Sequence, residues 1–135
     1  MLVYGSDKEL SDWASILIFG VSGQFQQSKA IGVSANGQII ASVVYSNYFD
    51  KVDGTGLSIE MSVASIDKRW ATRHNLKAFF SYPFIQLGLE RVSTHCSASD
   101  RGIMNFNKRL GFKQEGIHRK AWPLGGDSVS FSMLK

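Results

Sequence analysis

Between residues 60 and 73 the chain sets out a carboxylate at Glu60 and, after Asp67, three cations in positions that could do chemistry. Glu60 lies in Leu57-Ser58-Ile59-Glu60-Met61-Ser62-Val63, where apolar and polar residues alternate as on a half-buried strand. Glu60 falls on the polar face, and a carboxylate there can accept a proton. Asp67-Lys68-Arg69-Trp70-Ala71-Thr72-Arg73 follows, at the opening of a helical pattern. A helix start offers free N–H groups and the positive end of the helix dipole, and Lys68, Arg69 and Arg73 add charge, which together suit a pyrophosphate. The same three cations equally suit the solvated first turn of a surface helix. His95 and Cys96 are adjacent on a strand pattern, so only one of them can face a site. Cys96 reads as a small core residue, and His95 as either a base or a polar surface residue, the surface being the favoured reading. His74 and His118 read as structural. One Cys and three scattered His give no metal-ligand spacing.

These groups need a scaffold, and the rest of the pattern supplies one. Ser6-Asp7-Lys8-Glu9 has the form of a capping box, and Leu10, Trp13, Ile16 and Leu17 continue at helical spacing, predicting a helix over 7–20 that Gly20 and Gly23 end. Ala30–Val33 and Ile39–Tyr45 flank Asn36-Gly37, a strong hairpin signal. Residues 46–56 read as a loop and Leu57–Ile66 as a strand. A long helical pattern runs from Trp70 to Leu89, broken by Pro83 and capped by Gly88. Arg91–Cys96 reads as a strand, and Asp100 can cap a helix to Leu110. Phe112–His118 and Val129–Leu134 are the last strands, joined by a turn at Pro123–Asp127. A strand, a long helix and a neighbouring strand make a crossover unit, so the reading is an α/β (α+β) chain with a mixed sheet and helices on both faces.

The 135 residues suit one domain, 1–135, with one core. Hydrophobic content of 44% fits a globular chain, and no apolar run approaches the roughly 18–20 residues of a membrane span, so no membrane partner is expected. Residues 1–7 have no basic start and no apolar run, which argues against a signal peptide. A single cysteine cannot form an internal disulfide and fits a reducing, cytoplasmic setting. The net charge of +4 favours anionic partners or reflects only a slight surface excess of cations. Nucleic acid is the weaker anion here, because no aromatic-basic interleaving accompanies the charge.

The stretch Lys108-Arg109-Leu110-Gly111-Phe112-Lys113-Gln114-Glu115-Gly116, closing at Arg119, is a helix-to-strand corner in which Gly111 can leave the helix left-handed. It resembles the last characteristic block of the GCN5-related N-acetyltransferases. The resemblance extends over nearly the whole chain. Leu76–Phe84, Arg91-Val92, Leu110–Arg119 and the ending Gly125-Gly126-Asp127 with Phe131–Leu134 are similar to the ribosomal-protein-alanine acetyltransferase branch. Trp70–Arg73 and Ser81–Gly88 resemble short acetyltransferase-like proteins of tailed phages, which would place the chain in a host cytoplasm.

The resemblance implies a mostly antiparallel sheet whose central parallel pair splays to hold acetyl-CoA. It implies that Ser62, Val63, Ala64 and Ser65 meet the pantetheine arm through backbone groups. Lys68, Arg69, Trp70, Ala71, Thr72 and Arg73 would meet the phosphates. The reaction implied is attack of a neutral amine on the thioester, with Glu60 as the base, directly or through water. The acceptor would be an amine on a protein, peptide or small molecule. Four positions depart from the family. Asp67 stands where the phosphate loop has its leading cation, so that Lys68 and Arg69 would supply the charge instead. Asp100 stands where an asparagine usually precedes the short helix, and the other two are Trp70 and Asn107. Trp70 stands where the phosphate loop has glycine and is expected to crowd close backbone approach. Asn107, four residues before Gly111, stands where many members carry a tyrosine acid; it can donate a hydrogen bond but not a proton. Trp13, Tyr45, Tyr48 and Phe49 could line an acceptor groove, although aromatics at these spacings read more readily as core. Glu115 is expected to pair with Arg119. Two functions therefore stand open, an N-acetyltransferase and a catalytically weak or inactive binding protein on the same fold, and a homodimer is compatible with either.

Overall fold

The computed structural model describes residues 1–135 as one seven-stranded sheet in the order β1-β2-β3-β4-β5-β7-β6. The strands are β1 (Leu2–Val3), β2 (Lys29–Ala35), β3 (Gln38–Asp50), β4 (Gly56–Ser65), β5 (Arg91–Ser97), β6 (Lys113–His118) and β7 (Ser128–Leu134). Every neighbouring pair is antiparallel except β4–β5. Three α-helices accompany them: α1 (Asp7–Phe19), α2 (Arg73–Ser81) and α3 (Arg101–Leu110). The mixed sheet with helices on both faces is as the sequence predicts. No helix is long and apolar enough to cross a membrane.

Alternation along β4 divides the core. Ile59 and Met61 face α2 and join Ile31, Val43, Tyr45, Phe79, Leu89, Val92 and Phe131 in the larger cluster, with Met104 and Phe106 of α3 packed against it. Ala64 faces the other way and meets Leu10 and Ala14 of α1. The Asn36-Gly37 turn forms as predicted, with φ of 52° and 76° at its two residues, the left-handed pair that a two-residue hairpin requires.

Several local expectations are corrected. Ser6 makes no capping hydrogen bond, and its φ −116°, ψ 49° lies off the extended geometry a capping hydroxyl needs. Asp7 instead ties α1 to β2: it accepts from the Ala30 N–H at 3.0 Å and lies 3.4 Å from Lys29 Nζ. The predicted loop 46–56 is strand as far as Asp50, with a bulge between Ser46 and Phe49. Leu2–Val3 adds an edge strand that was not predicted. The long helix begins at Arg73 rather than Trp70, because Lys68–Trp70 form a separate 3₁₀ turn. Its end, Tyr82–Gln86, is wound as a π-helix around Pro83.

Proline explains that last change. Pro83 has no N–H to return to the Phe79 carbonyl four residues back. The Tyr45 hydroxyl, on β3, donates to that carbonyl at 2.6 Å. Burial pushes the Tyr45 phenol far up, so it stays a donor. Tyr45→Phe leaves a buried acceptor without this partner and should cost about 1–3 kcal/mol, read as a lower denaturant midpoint at unchanged slope.

Glu115 pairs not with Arg119 but with Arg91, across the intervening strand β7, at 2.9 and 2.5 Å. Hydrogen bonds from Arg91, then from Ser132, hold its carboxyl at about 2 against an ordinary 4.5. A depressed carboxylate stabilises the fold above its unfolded value and loses that contribution as pH falls. Stability should therefore decline between pH 4.5 and about 2. Glu115→Gln should flatten that part of an acid titration followed by circular dichroism, and an unchanged curve would contradict the pairing.

Candidate functional site at the splayed strands

The site is built by the place where β4 and β5 stop pairing. Their parallel register covers only Ser58↔Arg91, Ile59↔Val92 and Glu60↔Ser93. Beyond it, β4 remains paired with β3 as far as Ser65↔Ala41, and β5 with β7 as far as Ser97↔Ser128. Each strand follows its outer neighbour and the two diverge. The Ile66 N–H bonds to the Ile40 carbonyl, so the even-numbered backbone groups of this half of β4 point to β3. Val63 and Ser65 consequently turn their N–H and C=O into the gap. On β5, Ala98 N–H to Asp127 and Lys135 N–H to Glu90 set the even-numbered groups toward β7, which leaves His95 facing the gap. A groove of about 1530 Å³ runs through this opening.

Glu60 stands at the apex, on the face shared with α1. Its Oε2 accepts from Asn47 Nδ2 at 2.9 Å, and its Oε1 lies 3.6 Å from His95 Nδ1. Asn47 reaches it because the β3 bulge holds that residue at φ 54°. His95 is thus beside the acid rather than an isolated surface group, and its ring lies 6.0 Å from that of His118, which bonds Ser130 at 2.9 Å. Cys96 points to the opposite face and is 3% exposed in the core. Burial pushes its thiol up.

The residues expected at the coenzyme divide into two sets. Ser62, Val63, Ala64, Ser65, Lys68, Trp70 and Ala71 line the groove, whereas Arg69, Thr72 and Arg73 do not. Arg69 is committed to Asp67, donating from Nε at 3.0 Å and from its terminal nitrogen at 2.7 Å. Thr72 caps α2 by accepting from Asn75 N–H at 3.1 Å. Asn75 in turn donates to the Trp70 carbonyl at 3.0 Å and pins the turn. The Trp70 ring does not stand over the loop. It is buried between Phe79 and Phe106, with ring centres at 5.9 and 5.7 Å, because the 3₁₀ turn carries it inward. Among the groove-lining cations, Lys68 and Arg109 make no salt bridge. Arg109 lies over Phe106 on α3 and was not singled out from the sequence.

Asn107 lines the same groove and is 8% exposed. Its Nδ2 has no hydrogen-bond partner, the one buried side-chain polar atom in this condition. Its backbone carbonyl receives the Phe112 and Gly111 N–H groups that close α3, with Gly111 at φ 106° as the corner requires. The backbone of Asn107 is thus fixed at the corner, while its side-chain donor remains unused.

The aromatics at the groove are not the four that could have lined it, and two of those four pack as core, the reading their spacing favours. Tyr45 is core beneath α2, Trp13 packs with the α1 cluster, and Tyr48 and Phe49 are exposed near the end of β3. Phe19, Phe25 and Trp122 occupy the groove instead, with Phe19 5.9 Å from Phe25 and 5.8 Å from Trp122.

No protein-family profile and no curated protein sequence matches the chain. Solved structures do match in fold. The ribosomal-protein-S18-alanine N-acetyltransferase from Escherichia coli superposes with a TM-score of 0.65 at 14% identity, over 99% of this chain and 92% of that one. The ribosomal-protein-S5-alanine acetyltransferase from Vibrio fischeri gives 0.64 at 17% identity, over 79% of this chain and 61% of that one. This chain thus spans less than two thirds of the latter's length. A GNAT-family acetyltransferase from Elizabethkingia anophelis with acetyl-CoA bound gives 0.61 at 11% identity, over 80% and 76%. The fold is that of the GCN5-related N-acetyltransferases.

An unused buried donor costs about 1–3 kcal/mol, a cost that an apolar replacement removes. Asn107→Ala should leave the thermal midpoint unchanged or raise it by a few degrees. A fall of several degrees would show that the amide is already satisfied.

Proposed function

We propose that the chain transfers an acetyl group from acetyl-CoA to an amine by direct attack within a ternary complex. The observation that carries this reading is the open pair of strand edges with a carboxylate at its apex. Val63 and Ser65 offer backbone donors and acceptors with no strand partner, which suits an amide-bearing arm lying along β4. Lys68 and Arg109 offer unpaired charge to phosphates at the groove wall. The N–H groups of Thr72, Arg73 and His74 have no protein acceptor at the start of α2 and add a positive potential nearby.

Acetyl-CoA supplies an activated acyl group. Glu60, held by Asn47 beside His95, takes a proton from the incoming ammonium, directly or through water. The neutral amine nitrogen then attacks the carbonyl carbon, gives up its second proton to solvent, and the carbon–sulfur bond breaks to leave the amide and the coenzyme thiolate. Asn107 donates a hydrogen bond to the leaving sulfur and solvent supplies its proton, since an amide has none to give. That limit also favours a second reading, a coenzyme-binding protein with slow turnover on the same fold.

Calorimetric titration with acetyl-CoA separates these readings from everything else. Binding is expected, and no heat at millimolar ligand would sink both. Glu60→Gln keeps an acceptor for Asn47 but removes the base. It should lower kcat by about 10²–10⁴-fold and leave acetyl-CoA affinity unchanged. Unchanged turnover would remove Glu60 from the chemistry, and binding without acetylation of any amine would select the second reading.

A further inference from the structure

The wall of the groove opposite the coenzyme end carries charge and apolar surface in an uneven way. The groove is lined by two carboxylates in all, Glu60 and Asp100. Asp100 caps α3, accepting from Ile103 N–H at 3.1 Å, and α3 lies on the other face of the sheet. Among the groove-lining residues on the face of α1, Glu60 is therefore the sole acid. The other polar groups there, Asn47, Ser62, His95 and His118, supply no negative charge.

The mouth on this face is aromatic. Phe19 ends α1, Phe25 lies in the α1–β2 segment and Trp122 in the β6–β7 turn, so three separate elements bring their rings together. All three are half-buried, and neither Phe19 nor Trp122 belongs to a core cluster. Leu17 and Leu124 extend the apolar lining and are 45% and 62% exposed. Aromatic surface gathered outside the core around a groove is binding surface rather than packing.

We propose that the acceptor is a singly charged amine bearing an aromatic or branched apolar group, its nitrogen at Glu60 and that group among Phe19, Phe25 and Trp122. The proposal rests on the transfer reading for the role of the amine. One carboxylate at the inner end matches one ammonium. A polyamine would carry further charges past aromatic and aliphatic walls with no carboxylate to meet them, toward a protein of net charge +4. A free apolar amine and a peptide amino terminus with an aromatic first residue share this chemistry.

The test is calorimetric titration of phenethylamine, of a short peptide with an aromatic amino-terminal residue, and of spermidine into the CoA-saturated protein. One of the first two should bind at least about tenfold more tightly than spermidine, and whichever binds more tightly identifies the source of the amine. Trp122→Ala and Phe25→Ala should each weaken that ligand about tenfold, while acetyl-CoA affinity stays within about twofold. Tighter binding of spermidine, no binding of any amine, or indifference to both aromatic substitutions would overturn the proposal. If acetyl-CoA itself fails to bind, the transfer reading falls. The same titrations into coenzyme-free protein then still read the amine preference.

Discussion

The site depends on one constraint: the parallel ladder between β4 and β5 ends at Glu60 and Ser93 while both strands keep their outer partners. A strand edge inside a sheet normally has no unpaired groups, and exposing them in an apolar setting is costly. Here the cost is confined to a few residues of each strand, since every even-numbered backbone group remains bonded outward. The break leaves amide groups without strand partners, places a carboxylate at the vertex and leaves a groove passing between the two faces. The elements around the gap then act on it from different sides. The β3 bulge aims Asn47 at Glu60, the 3₁₀ turn buries Trp70, and the end of α3 fixes Asn107.

The scaffold spends its own hydrogen bonds to hold this arrangement. Tyr45 answers the carbonyl that Pro83 leaves free, which fixes α2 and its π-wound end against β3. Arg91 and Glu115 clamp β5 to β6 over β7 just where the parallel pairing begins. Both interactions lie away from the gap. Asn107, by contrast, lies within it and has an unspent donor. That contrast, satisfied frame and unsatisfied groove, is the usual sign of a surface kept for a ligand.

Much of the frame was legible because it is local. Asn36-Gly37, the alternation from Leu57 to Val63 and the exit at Gly111 are decided by neighbours in sequence, and all three form as read. The helix start after β4 was three residues off, because a 3₁₀ turn and an α-helix share their first-turn pattern. The site was legible only in part. Glu60 follows from alternation, but its neighbour His95 depends on which strand lies beside β4, which no local pattern states. Arg69 and Lys68 are equivalent in the local pattern, and only the side-chain contact of Arg69 with Asp67, two residues before it, distinguishes them. Phe19, Phe25 and Trp122 sit in or next to irregular segments without periodicity, so their meeting is a tertiary fact. Trp122, set among Lys120, Ala121 and Pro123 in a turn, was the one available hint.

Amide hydrogen exchange on the protein with and without acetyl-CoA tests the role of the gap most directly. If the pantetheine arm completes the open edge of β4, the Val63 and Ser65 amides gain protection on binding. Ser62 and Ala64, already bonded to β3, then change little. Equal changes at all four, or protection confined to the α2 start with none in the gap, would contradict the account.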